Sequence, residues 1–291
     1  MDVFVHGLNG ILMIAMPLAL GIFLARRLGV SWRLFMVGGL TFLASQVLHL
    51  PFNSYVLGAA FERLGVSQAQ QGMPLAIVAI LAGISAGVFE EGARYLVYRF
   101  WLKGERSWSQ ALMFGAGHGG VEAILLGMLA TYGFVQAMAL RGVDLATVLP
   151  PEQVELARSQ IAAYWAMPWY DALMGAFERV WALCLQVSMA IMVLQAFTRR
   201  SVLWLLAAIV WHALVDAVAI FALPTWGAYT MEALVAVLAL GSVGLAFALR
   251  VPEPEPAPYT EAPLPAPRTG AGMVGAPEAT SEKLDDSRFS G

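Results

Sequence analysis

Seven stretches of about twenty apolar residues determine the architecture of this chain, because a helix of that length can cross the hydrocarbon core of a bilayer. Within lipid only helices and closed barrels satisfy all their backbone hydrogen bonds, so such stretches predict membrane-spanning helices. They lie near residues 8–24, 34–57, 75–102, 108–140, 168–197, 202–223 and 228–249. The sequence therefore predicts an all-α, polytopic membrane helix bundle with about seven transmembrane helices.

The composition agrees with a membrane protein and argues against other classes. Hydrophobic residues make up 59% of the 291 residues and charged residues 13%, whereas soluble domains carry about 25% charged residues. The net charge of -3 gives no reason to expect a nucleic-acid partner. The one cysteine, Cys184, excludes a disulfide framework and a cysteine-based zinc site, which gives the four histidines more weight.

Basic residues in the loops predict the orientation of the bundle. The loops after spans one, three and five, together with the residue after span seven, carry Arg26, Arg27, Arg33, Arg99, Lys103, Arg106, Arg199, Arg200 and Arg250. The alternate loops carry only Arg63, Arg141 and Arg158. Because cytoplasmic loops hold the excess of arginine and lysine, we expect the amino terminus outside and the carboxyl terminus inside. The start, MDVFVHG, has no basic segment before its apolar run, so no cleavable signal peptide is predicted.

Two segments lie outside the predicted spans. The long loop over 141–167 contains Pro150–Pro151 followed by Glu152, which predicts the start of a helix. Apolar residues then recur at helical spacing, so we expect an interfacial helix on the extracytoplasmic side, with a moving lid as the alternative. Residues 251–291 are rich in proline and polar residues, and we predict a disordered cytoplasmic tail. Residues 1–250 then form one transmembrane helical domain.

Ionisable residues within the predicted spans indicate where function lies. Spans three and four contain Glu90, Glu91, Arg94, His118 and Glu122 in otherwise apolar sequence. A charged side chain near the bilayer centre costs roughly 2.5–3.5 kcal/mol on insertion scales, so these residues require an explanation. Glu90, His118 and His212 each lie at a depth of roughly 15–17 Å from the cytoplasmic end of their span, at about 1.5 Å per residue. Gln186 of span five reaches the same depth, so we expect four spans to contribute to one polar layer.

The spacing of two histidines and two carboxylates predicts a metal site. His118 and Glu122 are four residues apart, as are His212 and Asp216, so each pair lies on one helix face. An imidazole and a carboxylate on one face can chelate a divalent metal. Such ligands with an open position suit catalytic zinc, which lowers the pKa of bound water to about 7.

The glutamate pair of span three predicts a general base. Glu90 or Glu91 would accept the proton of the bound water. Arg94 follows Glu90 by four residues, so it can orient a carboxylate or balance its charge. Glycines on both sides of His118 allow close approach of a neighbouring helix or of an extended substrate backbone.

Two other polar features in the spans have less specific interpretations. His49 lies beside Pro51, and we expect a carbonyl group freed by the proline to satisfy its imidazole, with a functional role as the alternative. Glu178 and Arg179 are adjacent opposite charges in span five, for which a structural ion pair is favoured over a catalytic role.

Four motifs in chain order resemble a known family. They are EEGARY over 90–95, GAGHGGVEA over 115–123, GAFERVWA over 175–182 and HALVD over 212–216. Together they resemble the bacterial YhfC family of intramembrane metalloproteases. The paired glutamates with a following arginine, Phe114-x-x-x-His118 and His212-x-x-x-Asp216 also look like the motifs of the CAAX-processing and bacteriocin-processing (CPBP) protease superfamily. The resemblance extends over most of residues 8–249.

The resemblance implies proteolysis within the bacterial cytoplasmic (inner) membrane, with a membrane protein or peptide as substrate and the lipid bilayer around it. Carried over by position, Glu90 is the base and Glu91 supports it. His118 and His212 bind a divalent metal, zinc by expectation, or polarise the attacking water. Asp216 takes the place of the Asn or Asp of the last motif.

Two departures from the family patterns are visible. Arg94 follows Glu91 by three residues, where the wider superfamily more often has four. Gln186 stands in span five, where the resemblance leads us to expect a histidine. If that histidine is a ligand, this chain has lost a ligand or lost activity.

Other classes of membrane protein fit the sequence less well. A retinal protein needs a lysine inside the bundle, but Lys103 lies at a membrane edge and Lys283 in the tail. A b-type cytochrome with facing histidines does not explain Glu90 and Glu91. A proton- or ion-coupled transporter remains an alternative, because such carboxylates and histidines can form a proton relay. A catalytically inactive membrane scaffold is the third possibility.

Overall fold

The chain is described here by a computed structural model covering residues 2–68 and 71–250, so the predicted tail over 251–291 lies outside the described residues. The α-helices are α1 Asp2–Leu28, α2 Trp32–Pro51, α3 Gly58–Arg63, α4 Gly72–Phe100, α5 Trp108–Ala139, α6 Pro151–Ala166, α7 Trp169–Ala172, α8 Met174–Thr198, α9 Leu203–Trp226 and α10 Ala228–Ala248. A π-helical segment, Phe52–Leu57, joins α2 to α3. A 3-10 turn, Leu145–Thr147, precedes α6.

Seven helical segments among the described residues are long and apolar enough to cross a membrane. They are Val3–Leu28, Trp32–Arg63, Gly72–Phe100, Trp108–Ala139, Met174–Thr198, Leu203–Trp226 and Ala228–Ala248. Each coincides with one predicted apolar run, so the all-α membrane fold and the number of spans are confirmed. The predicted orientation of the termini stays a prediction.

Helix α5 lies in the middle of the bundle and packs against α1, α2 and α8. Helix α4 packs mainly against α9, while α10 packs against both α8 and α9. Phe114 and Ile191 are completely buried in the resulting core. Helix α8 also packs against α4, α5 and α9, so the four helices of the predicted polar layer meet around α8.

Glycines allow α2 and α5 to pack backbone against backbone. A Cβ atom built on Gly117 of α5 would lie 2.0 Å from the carbonyl oxygen of Phe35, and one on Gly38 of α2 would lie 2.0 Å from that of Phe114. No side chain fits at such distances, so both positions require glycine. The glycines beside His118 thus serve helix packing, the first of the two predicted roles.

The helix predicted in the long loop is present as α6, with Pro151 in its first turn. It is held near the ends of α1 and α5. Nε2 of His6 lies 3.0 Å from the carbonyl oxygen of Tyr164, and the guanidinium group of Arg141 lies 4.6 Å from the centre of the Trp165 ring. The interfacial location of α6 on the extracytoplasmic side stays a prediction.

Candidate active site

A carboxylate–imidazole pair joins α4 to α5 inside the bundle. Nε2 of His118 lies 3.1 Å from Oε2 of Glu90. His118 is fully buried and Glu90 is 7% exposed. The edge of the imidazole packs against Phe42 at a centroid distance of 5.3 Å. The two residues that the sequence placed at the same depth are therefore in direct contact.

A second carboxylate–imidazole pair lies on α4 and α9. Nδ1 of His212 lies 2.8 Å from Oε1 of Glu91, which is completely buried. Nε2 of the same ring lies 3.5 Å from Oδ2 of Asp216. The predicted same-face pair of His212 and Asp216 thus exists, and Glu91 adds a third group that the spacing along α9 did not suggest.

Arg94 is fully buried and contacts Glu91 more closely than Glu90. Its guanidinium donates to Glu91 and to the side-chain oxygen of Gln186. The closest approach to Glu90 is 3.9 Å, too long for a hydrogen bond. Arg94 therefore orients the carboxylate of Glu91 by direct contact, and at 3.9 Å from Glu90 it is close enough to balance the charge of that residue, the second of the two predicted roles.

Gln186 connects the two pairs at the position where a histidine was expected. Its amide nitrogen donates to Oε2 of Glu122 at 2.9 Å and lies 3.4 Å from Oε2 of Glu90. Its oxygen accepts from Arg94. An amide can donate and accept at once, so Gln186 accepts from the buried guanidinium of Arg94 and donates to the partly exposed carboxylate of Glu122. The predicted layer from four spans is therefore a contiguous cluster.

Glu122 is held by an arginine and not by the neighbouring histidine. Nη1 of Arg179 lies 2.6 Å from Oε1 of Glu122, and the same guanidinium donates to Glu178. His118 meanwhile faces Glu90. The predicted chelating pair of His118 and Glu122 is thus not formed, because each side chain has a partner on another helix. The Glu178–Arg179 ion pair is present and reaches the polar cluster.

The predicted metal ligands do not converge in this arrangement. Among the described residues, no group of three or more His, Cys, Asp and Glu side chains is placed to hold a metal ion. Catalytic zinc sites usually use three protein ligands. Two buried atoms of the types that bind metals, Nδ1 of His118 and Oε2 of Glu91, are among those with no hydrogen-bond partner within the described part of the chain. The set of His118, Glu122, His212 and Asp216 therefore does not fit a metal ion as it stands.

Sequence reasoning missed a row of polar side chains behind Glu90. Nε2 of Gln46 donates to Oε1 of Glu90 at 3.1 Å. The ring nitrogens of His49 lie 3.3 Å from the oxygen of Gln46 and 2.9 Å from the nitrogen of Asn53. The expectation that a backbone carbonyl would satisfy His49 is wrong, since both nitrogens meet side chains. The spacing of residues 46, 49 and 53 along one helix face was the available indication.

A cavity of about 330 Å³ adjoins the cluster between α5, α8, α9 and α10. Its polar edge is formed by Glu122, Glu178, Arg179, Gln186, His212 and Asp216. The rest of its wall consists of apolar side chains such as Leu223 and Met231. Gln186 lines the cavity, and its amide nitrogen lies 3.4 Å from Oε2 of Glu90.

These features define a polytopic membrane protein with a buried site of glutamate–histidine pairs. The chain belongs to the YhfC family, because the sequence profile described as "YhfC intramembrane metalloprotease" matches residues 12–239. It is similar to the "Uncharacterized membrane protein YhfC" of Bacillus subtilis (strain 168), with 33% identity over 216 residues, 73% of this chain and 82% of that protein. No solved structure matches the chain. The resemblance to the YhfC family is confirmed, and the link to the wider CPBP superfamily stays a prediction.

Proposed function

We propose that this protein is an intramembrane peptidase of the bacterial cytoplasmic membrane, in which Glu90 activates water for hydrolysis of a peptide bond. The observation that carries the proposal is the contact between Glu90 and His118, buried among membrane spans next to a second pair of Glu91 and His212. The description of the family as an intramembrane metalloprotease supports the same reaction class.

In the proposed reaction, the Glu90 carboxylate takes a proton from water as the oxygen attacks the carbonyl carbon of the substrate. Negative charge then develops on the carbonyl oxygen. The N–H groups of His118 and Gln186 lie beside Glu90 and can stabilise this oxyanion. Protonated Glu90 next donates its proton to the amide nitrogen as the C–N bond breaks. A carboxylic acid and an amine result, and Glu90 is again ionised.

The substrate we propose is an apolar segment of a membrane protein or peptide. The adjoining cavity is apolar except at the edge formed by Gln186, His212 and Asp216, so it suits a hydrophobic side chain with its peptide bond facing the polar cluster. Arg94 and Glu91, which contact each other, hold two residues of that edge, Gln186 and His212.

We further propose that the reaction uses a divalent metal ion such as zinc. The family description names a metalloprotease, whereas His118 and His212 both face carboxylates in the structure. Zinc binding would require these imidazoles to rearrange. One zinc per chain, lost in His118→Ala and in His212→Ala, would support such a rearrangement. If cleavage continues in the presence of a metal chelator, the glutamates and histidines activate the water without a metal.

The decisive experiment compares the wild type with Glu90→Gln in proteoliposomes. The probe is an apolar membrane-spanning peptide with a fluorophore at one end and a quencher at the other. Loss of a general base lowers the rate by roughly 100- to 10,000-fold, so we expect almost no cleavage by Glu90→Gln. Glu62→Gln is the matched control, because Glu62 is an exposed residue of α3. Equal cleavage by wild type and Glu90→Gln would remove Glu90 as the base.

Proton- or ion-coupled transport is the second candidate, and one observation favours it. The Gln186 amide nitrogen lies within contact of both Glu90 and Glu122, so two intramembrane carboxylates, a type of group that proton- and ion-coupled transporters use, lie close together. A pH-sensitive dye inside the same proteoliposomes distinguishes the two functions. Proton flux without cleavage that is lost in Glu90→Gln would favour transport. The absence of both activities would favour an inactive scaffold.

A further inference from the structure

A continuous row of four polar side chains leads to Glu90, and its members are Ser85, Asn53, His49 and Gln46. Oγ of Ser85 donates to Oδ1 of Asn53 at 2.7 Å, and the nitrogen of Asn53 lies 2.9 Å from Nε2 of His49. Nδ1 of His49 lies 3.3 Å from the oxygen of Gln46, whose nitrogen donates to Glu90 at 3.1 Å. We propose that His49 is a positioning residue, held as its Nδ1–H tautomer, which aims the Gln46 amide at Glu90.

The chemistry at the Glu90 end determines the direction of every bond in the row. An ionised carboxylate only accepts hydrogen bonds, so the nitrogen of the Gln46 amide must face Glu90. The Gln46 oxygen then faces His49 and needs a donor, which only a protonated Nδ1 supplies. A neutral imidazole with its proton on Nδ1 has an accepting Nε2, and this atom faces the nitrogen of Asn53.

Two neighbouring contacts support the same assignment. Nε2 of Gln46 also lies 3.4 Å from Oγ of Ser45, so both amide hydrogens have an acceptor when the nitrogen faces Glu90. Ser85 donates its hydroxyl hydrogen to the Asn53 oxygen, which places the Asn53 nitrogen toward His49. Each donor in the row therefore points toward Glu90, and each polar atom named here has a partner of the right kind.

The backbone holds the far end of the row. Asn53 lies in the π-helical segment Phe52–Leu57, which follows Pro51 directly. The backbone N–H of Gly58 donates to the carbonyl oxygen of Asn53. Such segments are rare and often occur at functional sites. The ring of His49 stacks on Phe89 at a centroid distance of 5.3 Å with 27° between the planes. The imidazole is thus fixed both by its ring face and by its two nitrogens.

The tautomer can be measured without any activity assay. Nitrogen NMR of the full chain in nanodiscs, labelled with ¹⁵N-histidine and recorded at pH 8, distinguishes Nδ1–H from Nε2–H, and His49→Asn identifies the His49 signals. We expect Nδ1–H in the wild type. In Asn53→Asp the new carboxylate only accepts, so we expect the proton on Nε2. Nε2–H in the wild type, or an unchanged tautomer in Asn53→Asp, would overturn the proposal.

Two substitutions of His49 separate positioning from packing, and this part rests on the proposed function. Asparagine supplies an N–H donor near the place of Nδ1 without the stacked ring, whereas phenylalanine keeps the ring without the donor. We expect His49→Asn to cleave the quenched peptide with a kcat close to that of the wild type. Loss of a hydrogen bond that supports a charged group should lower the kcat of His49→Phe roughly tenfold to a hundredfold, with little change in KM.

A higher kcat for His49→Phe than for His49→Asn would show that His49 acts through packing and would overturn the positioning role. If the wild type cleaves no peptide, the proposed function fails, whereas the tautomer measurement still tests the row of hydrogen bonds. The two failures are therefore distinguishable.

Discussion

Arg94 shows how strongly single residues in this bundle depend on partners from other helices. Its side chain has no exposed surface, and it donates to Glu91 on its own helix and to Gln186 on α8. Burying a charge is costly unless an opposite charge and hydrogen bonds compensate it, and the two terminal nitrogens of Arg94 have such partners while its Nε has none among the described residues. Arg94 therefore acts as a structural centre of the polar cluster, one helical turn from the proposed base.

Replacing Arg94 should destabilise the protein through the partner that is left behind. Arg94→Met leaves the Glu91 carboxylate buried without its cation, which should lower the free energy of unfolding by roughly 3–5 kcal/mol. Thermal unfolding in nanodiscs, followed by tryptophan fluorescence, measures the change. The double variant Glu91→Gln/Arg94→Met should recover part of the loss, because the uncompensated charge is removed.

Arg158→Met is the control for this experiment. Arg158 pairs with Glu155 at 3.3 Å, but its side chain is 61% exposed. Exposed pairs contribute about 0–1 kcal/mol, so the unfolding temperature should hardly change. Equal effects of Arg94→Met and Arg158→Met would contradict the structural role of Arg94.

The sequence predicted which residues share the polar cluster more reliably than which residues pair. The common depth of Glu90, His118 and Gln186 was enough to place them together. The predicted pair of His118 and Glu122 was not found, because spacing along one helix does not determine which neighbouring helix approaches its face. Contacts with α4 and α8 decide the partners of both residues.

At the level of elements, α5 depends on the absence of side chains where it crosses α2. A Cβ on Gly117 would meet the Phe35 carbonyl oxygen at 2.0 Å, a backbone atom that cannot move without its helix. The same helix contains Gly133, around which nothing lies within 4 Å of an added Cβ. One helix thus offers both a glycine that the packing requires and one that it does not.

Alanine at these two glycines should therefore have opposite effects. Gly117→Ala should separate α2 from α5 and lower the free energy of unfolding by about 1–3 kcal/mol. Gly133→Ala, the matched control, should be neutral or stabilising by up to about 1 kcal/mol, since alanine favours the helix. Thermal unfolding in nanodiscs compares them. A Gly117→Ala variant as stable as Gly133→Ala would contradict the close crossing.

The limits of the elements were partly predictable from the sequence. Apolar length predicted every span, and the prolines at 150 and 151 predicted the start of α6. The π-helical segment after Pro51 was not predicted, because no residue pattern distinguishes it from an α-helical turn. In the assembled bundle Asn53 of this segment accepts a hydrogen bond from Ser85 of α4, a contact that no local pattern indicates.

For the whole molecule, the orientation in the membrane is the main prediction that stays open to measurement. Most loop arginines and lysines lie at one end of the bundle, which should be cytoplasmic. The Glu90 layer would then lie in the cytoplasmic half of the bilayer.

Cysteine labelling in intact cells measures this orientation. In a Cys184→Ala background, Ser67→Cys and Lys103→Cys each place one exposed thiol in the loops after spans two and three. A membrane-impermeant maleimide should label Ser67→Cys from outside and Lys103→Cys only after permeabilisation. Labelling of Lys103→Cys in intact cells would reverse the predicted orientation.

The sequence by itself determined the class of protein, the seven spans and the depth of the polar layer. It could do so because the cost of apolar surface in water and of charge in lipid acts on each segment independently. Only the tertiary structure decided that His118 contacts Glu90, that Arg94 donates to Glu91 and that His49 contacts Gln46. Those choices depend on which helices are neighbours and how closely their glycines let them approach, and neither is encoded within any one segment.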